Sequence, residues 1–206
     1  MHSVMRHTKI AALCTAALAA ACAKGDKTAD SAKAADSASA GAPATAATPA
    51  TASSDSWSDP NIMAFLDNAN MTDSAAGSVA ASKGTNAQVK AFGKDMVRDH
   101  HAMRKEGQDL AKKLNVTPEP KPGDTMAADA AAFQDSLNSM PKGAAWDKAY
   151  IDHEVAAHEK VLATAQTASG ATQNADIKAL ITKAAPKVQE HLDKAKKIQS
   201  TLGGAK

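Results

Sequence analysis

Five residues of types that ligate transition metals stand near the middles of four segments with helical periodicity: Asp73, His100, Glu154 with His158, and His191. Imidazole nitrogen together with carboxylate oxygen suits iron, copper or zinc. Counting alternate steps of four and three along each segment traces the seam that would face a bundle axis. The first seam reads Ile62, Leu66, Ala69, Asp73, Ala76, Ala80, and the second runs from Val89 through Gly93, Met96, His100 and Met103 to Leu114. The third reads Ile151, Glu154, His158, Val161, Ala165, and the fourth runs from Ile177 through Ile181, Ala184, Val188 and His191 to Ile198. Each seam is small or apolar apart from its central polar members. In four rods of similar length the middles share a level, so the pattern predicts one polar layer built from all four helices. Buried imidazoles and carboxylates must be satisfied by one another, by water or by an ion. Of the remaining candidates, His101 and His153 fall off the seam and are expected at the surface. Met96 and Met103 sit one turn either side of His100, where they read as core filling or as soft ligands for copper.

The rods that must hold this layer are well punctuated. Asp59 is expected to cap the first helix, with Pro60 at its first position and Gly84 closing it after Lys83. A second helix starts at Thr85 or Asn86 and ends near Leu114, where Asn115 and the prolines at 118, 120 and 122 stop it. A short helix is expected from about Thr125 to Met140, a third long one from about Ala145 to Ala168 before Gly170, and a fourth from its Asn174 cap to Leu202. Pro186 should kink the last helix about a turn before His191. Short turns join the first pair and the last pair, and a long connection links the second long helix to the third. The expected fold is all-α: a ferritin-like four-helix bundle whose long connection, between helices 2 and 3, carries a short extra helix.

Ahead of this domain, Arg6 and Lys9 run into an apolar stretch from Ile10 to Ala21 that reads as a secretory signal, too short at about a dozen residues to span a bilayer. Leu18 to Cys22 resembles a lipobox, with a lipid expected on Cys22, although the leucine stands four residues before the cysteine where three is usual; an Ala-x-Ala cleavage site is the alternative. From Ala23 to Ser56 there is no Val, Ile, Leu, Met, Phe, Trp or Tyr, and such a chain cannot bury a core. The expected organisation is a signal over 1–21, an Ala/Ser/Thr/Pro tether over 22–56 and the bundle over 57–206. Location follows: the periplasm, anchored through the lipid to the outer or inner membrane, or else soluble there or secreted.

Cleavage removes Arg6 and Lys9 from the 24 basic residues, so 22 remain against 22 acidic ones. A neutral chain without a basic stripe is not expected to bind nucleic acid. Cys14 goes with the signal, which leaves Cys22 alone and no internal disulfide. Nothing resembles a nucleophile with its base, a phosphate loop or a zinc-finger spacing, so no reaction is read.

Phe92, Met96, Val97, Asp99 and His100, then Trp146, Asp147, Tyr150, Ile151, Val155 and His158, then Pro186, His191 and Leu192 together resemble the bacterial domain of unknown function 4142, a family grouped with ferritin-like proteins. The resemblance spans about residues 59 to 202. It implies an exported helical bundle, frequently in lipoproteins, with no established activity. The Glu-x-x-His pairs of ferritin-like di-iron enzymes are absent: no acid stands three residues before His100, and Lys187 and Val188 occupy the corresponding region of the last helix. Two functions of different classes remain. One is a non-catalytic envelope module whose polar layer fixes helix register while its surface meets protein partners. The other is a metal-binding protein holding iron, copper or zinc with Asp73, His100, Glu154, His158 and His191.

Overall fold

The structure, a computed structural model, describes residues 56–204. The signal, Cys22 and nearly all of the tether lie outside the described residues. Five helices follow in order: α1 (Asp59–Lys83), α2 (Ala87–Leu114), α3 (Met126–Ser139), α4 (Ala144–Ala171) and α5 (Ala175–Gly204). The four long ones form the bundle, with α1 packed mainly on α2 and α4 mainly on α5. Helix α3 sits in the connection between α2 and α4 and packs on α1. No helix among the described residues is long and apolar enough to cross a membrane.

The expected helix ends hold to within a few residues, with two corrections. Ser58, not Asp59, caps α1: its hydroxyl accepts from the Asn61 amide while the Asn61 side chain accepts from the Ser58 N–H, a reciprocal pair that outcompetes a lone Asp. Gly170 does not stop α4, which continues to Ala171 and is capped by Thr172. An exposed glycine costs a helix about 1 kcal/mol and need not end it. Asn115 ends α2 in the left-handed conformation at φ 53°. Helix α5 runs through Pro186 without a break.

Two close approaches set the height at which the helices meet. Gly77 and Gly93 let α1 and α2 touch backbone to backbone. A Cβ at Gly77 would lie 2.8 Å from the Gly93 carbonyl oxygen, and one at Gly93 would lie 2.6 Å from that of Gly77. At the first turn of α4, the buried Asp147 carboxylate accepts from the Thr85 amide (2.9 Å), the Thr85 hydroxyl (2.5 Å) and the Asn86 amide (2.7 Å), which ties α4 to the α1–α2 turn. The apolar interior is divided in two. One cluster gathers Phe92, Met96, Trp146, Tyr150, Ile151 and Ile198, and the other Ile62, Phe65, Ala168, Ile177 and Ile181. The residues between them in every long helix are the polar ones.

Candidate metal centre

Those central residues, Asp73, His100, Glu154, His158 and His191, are all buried, none more than 6% exposed, and the three histidines meet at ligand distance whereas the Asp73 and Glu154 carboxylates stand outside that group. The three imidazoles form a near-equilateral triangle, with ring centroids 5.0 Å (His100–His191), 5.6 Å (His100–His158) and 5.7 Å (His158–His191) apart. One nitrogen of each ring lies within 4.8 Å of those of the other two. The Asp73 carboxylate stands 3.7 Å from His100 Nε2, and Glu154 lies one helical turn before His158 on the same face.

Hydrogen-bond partners outside the triangle assign the tautomers. The Asn70 amide nitrogen donates to the Leu66 carbonyl (2.7 Å), so its oxygen is the atom that meets His100 Nδ1 at 2.9 Å. That oxygen only accepts, and Nδ1 of His100 therefore carries the proton. His158 Nδ1 likewise donates to the Glu154 main-chain carbonyl at 2.8 Å. His191 Nε2 donates at 3.0 Å to Asp99, whose two oxygens are also gripped by the Arg98 guanidinium at 2.8 and 3.0 Å. Partial burial raises the Asp99 pKa, but Arg98 and His191 outweigh it and bring it down to about 2, so Asp99 is an ionised acceptor. The inward nitrogens, His100 Nε2, His158 Nε2 and His191 Nδ1, are thus bare lone pairs. Two of them face each other at 3.2 Å, and the third has no partner. Lone pairs so placed repel unless a proton or a cation stands between them. Fixing each ring through its outer N–H is also how proteins orient histidine ligands.

The carboxylate side of the layer is just as incompletely served. Neither oxygen of Glu154 has a hydrogen-bond partner, and neither does the Tyr150 hydroxyl. Tyr150 is near enough to the Glu154 carboxylate to perturb its titration, yet no bond of ordinary geometry joins them. Burial raises Asp73 to about 7, and burial together with the charge of Asp73 raises Glu154 well above the carboxylate range. Burial also depresses the imidazoles: His100 falls well below its usual value, His158 falls to about 4, and His191 falls despite Asp99. Left to itself, then, the layer sheds charge, with protonated acids and neutral rings. A divalent cation would reverse this, because two ionised carboxylates balance its charge and three neutral imidazoles supply nitrogen donors.

The off-seam candidates divide. His101 is exposed as expected, whereas His153 is half-buried and stacks on Phe133 of α3 at 3.4 Å between centroids. Seam counting over four rods leaves out α3, which covers that face. Met96 is core, and Met103 is half-buried beside the layer. The sequence gives no role to Asn70 or to the Asp99 carboxylate, which hold His100 and His191, and Tyr150 reads from it as packing or as a hydrogen-bonded lid. All three lie one position off a seam, and only the folded positions of His100, His191 and Glu154 give them a task.

An all-α bundle with a three-histidine, two-carboxylate layer across its middle is the class of protein these features define. The profile described as domain of unknown function (DUF4142) matches residues 40–198, and the chain belongs to that family. Searches of curated proteins and of solved structures find no match.

Proposed function

We propose that the chain binds one divalent transition-metal ion at the central layer, with His100, His158 and His191 as nitrogen ligands and the neighbouring carboxylates of Asp73 and Glu154 balancing its charge. The observation that carries this reading is the direction of the three imidazoles: each spends one nitrogen on an oxygen outside the triangle and turns a bare lone pair to the shared centre. A layer serving only to fix helix register would be satisfied internally, whereas four buried polar atoms here have no partner. The mixed set suits iron, copper or zinc, with copper and zinc favoured in affinity at equal supply. Asn70 and Asp99 hold two of the rings, and Tyr150 offers a hydroxyl to the Glu154 carboxylate.

The test is elemental analysis of full-length protein purified without chelator, followed by stripping and reloading. About one ion per chain, restored after stripping by iron, copper or zinc and lost in His158→Ala, is the expected result. Substoichiometric metal that none of the three restores removes the proposal.

Export and anchoring complete the reading: the basic and apolar leader, the lipobox-like Leu18–Cys22 run and the core-free stretch that follows support a bundle tethered in the envelope through a lipid on Cys22. Cys22→Ala should then move the protein from the membrane fraction to the soluble one. A variant that stays with the membrane contradicts the lipid.

A further inference from the structure

Two openings on the bundle surface lead toward the histidine triangle. One is a groove of about 510 Å³ beneath α3, floored by α1 and α4. The other, of about 270 Å³, is walled mainly by α1, α2 and α5. A chamber of about 30 Å³ that touches Asp73 and His100 shares wall residues with both. The atoms at each mouth therefore decide which opening serves the triangle.

The opening between α1, α2 and α5 reaches the rings from behind. Asn70 and Asp99 line it, and their oxygens already accept from His100 Nδ1 and His191 Nε2, the nitrogens turned away from the triangle. Its acids are spent as well: Asp67 pairs with Arg104, Asp99 with Arg98 and Glu106 with Lys183. A cation entering here would have to break the bonds that fix two of its own ligands. Met103 adds a thioether on that side, which suits monovalent copper better than a divalent ion.

The groove reaches the rings from in front. Asp73 lines it and is the most exposed of the five central residues, with 9% of its side chain open to solvent. One of its oxygens stands 3.7 Å from His100 Nε2, which in turn lies 3.2 Å from His191 Nδ1. Both nitrogens are inward lone pairs, so these three atoms form a row of ligand atoms running from the groove to the triangle. Along such a row an ion exchanges its waters for protein atoms one at a time and never crosses an apolar wall bare. Charge agrees with this route: Lys160 alone among the described lining residues is a Lys or Arg, against Arg104, Lys183 and Lys187 at the other opening. Helix α3 roofs the groove without filling it. Near its C-terminus the Leu137 carbonyl accepts from Trp146 Nε1 (2.8 Å) and Lys83 Nζ (2.6 Å), and at its other end Met126 packs against the Ile62–Phe65 cluster. Between these anchors it presents small side chains such as Ala127, Ala130 and Ala131.

We infer that the groove beneath α3 is the port through which a divalent ion reaches the three histidines, with Asp73 as the residue that takes it in. The port rests on the metal reading and fails separately from it. Stripped full-length protein is mixed with cobalt(II) in a stopped-flow cell, where the absorbance of the bound ion gives the association rate, while titration gives the stoichiometry and a chelator chase the release rate. Ala130→Phe and Ala157→Phe fill the groove from half-buried positions on α3 and α4, and each should slow association about tenfold with one ion still bound per chain. Leu180→Phe, which fills the other opening, should leave the rate unchanged. Circular dichroism checks the helical content of every variant. Asp73→Asn should also slow association, whatever it does to release. Association at the wild-type rate in both groove variants or in Asp73→Asn overturns the port and leaves the metal reading standing, as does slowing by Leu180→Phe. Failure of wild type to take up cobalt(II), iron(II) or zinc strikes the metal reading itself and the port with it.

Discussion

Asp147 and Glu154 are two carboxylates on one helix, seven residues and about two turns apart, and both are buried, at 1% and 0% exposure. Asp147 accepts three hydrogen bonds from Thr85 and Asn86. Glu154 accepts none. The chain evidently can build donors around a buried carboxylate when the duty is structural, as it does to join α4 to the α1–α2 turn. At the middle of the same helix the nearest N–H, His158 Nδ1 at 3.4 Å, is spent on the Glu154 main-chain carbonyl, and the inward nitrogens of His100, His158 and His191 are lone pairs. A buried acid left without a hydrogen bond beside three bare lone pairs is unfavourable for the chain alone and becomes favourable with a cation among them.

The largest expected effect tests the structural half of this contrast. Asp147→Ala leaves two backbone N–H groups and a hydroxyl without an acceptor, and should cost about 3 kcal/mol. Urea unfolding with chelator and with saturating metal should show the same loss, because the Asp147 contacts lie outside the layer. Reduced metal stoichiometry in a folded Asp147→Ala variant would break the distinction.

Next comes the pH dependence of the metal-free protein. The Glu154 pKa is raised in the folded state, so the native chain holds a proton that the unfolded chain has lost, and stability falls with rising pH by about 1.4 kcal/mol per unit until the folded pKa is passed. Asp73 acts in the same direction between about 4 and about 7. The imidazoles act oppositely: their folded pKa values are depressed, the unfolded chain binds more protons below about 6.5, and stability rises with pH up to that point. Above 6.5 only the carboxyls still titrate. Urea unfolding in chelator should therefore show stability falling as pH rises from 6.5 to 8. Glu154→Gln should flatten most of that decline and also abolish metal retention. An unchanged decline in Glu154→Gln would mean that its carboxyl is not the buried, proton-holding group described.

The parts of this arrangement that were legible in the sequence are those set by periodicity. Asp73, His100, Glu154, His158 and His191 each fall on an apolar seam, and a seam position is buried whatever the fine geometry. The long helices were legible for the same reason, along with the caps at Asn86 and Asn115. Contacts between segments distant in the chain were not. The pairing of Gly77 with Gly93 depends on the register of α1 against α2, and the clasp of Asp147 on Thr85 and Asn86 depends on how α4 approaches a turn some sixty residues away. Asn70 and Asp99 escaped because their polar character alone is compatible with a solvated face, and only the positions of His100 and His191 give them a task. The groove beneath α3 was hidden because alanine suits a close-packed interface as well as a hollow one.

Asp99 sharpens the comparison at a smaller scale. It is half-buried and already paired with Arg98, so Asp99→Ala should change metal-free stability little. Losing the partner that fixes His191 should weaken metal binding about tenfold, the lower end for an outer-shell contact. Competition against a chromophoric chelator measures this directly. Undiminished affinity in Asp99→Ala would show that His191 is held in place by packing alone.

The smallest effect is expected at Tyr150, where the two states of the site should respond with opposite signs. Its hydroxyl is buried without a hydrogen-bond partner, and burial, reinforced by Glu154 and Asp73, keeps it protonated. Tyr150→Phe removes an unmet polar group from the metal-free protein and should stabilise it by under about 1 kcal/mol, since the ring keeps its contacts with Trp146 and Phe92. With metal bound, Glu154 is ionised and the hydroxyl has an acceptor to serve, so the same substitution should lower affinity by a few fold. A tyrosine that only packs would shift both states equally and leave the affinity untouched. A change of sign between chelated and loaded protein therefore reports that the hydroxyl belongs to the centre, at a position where sequence periodicity shows only an aromatic ring.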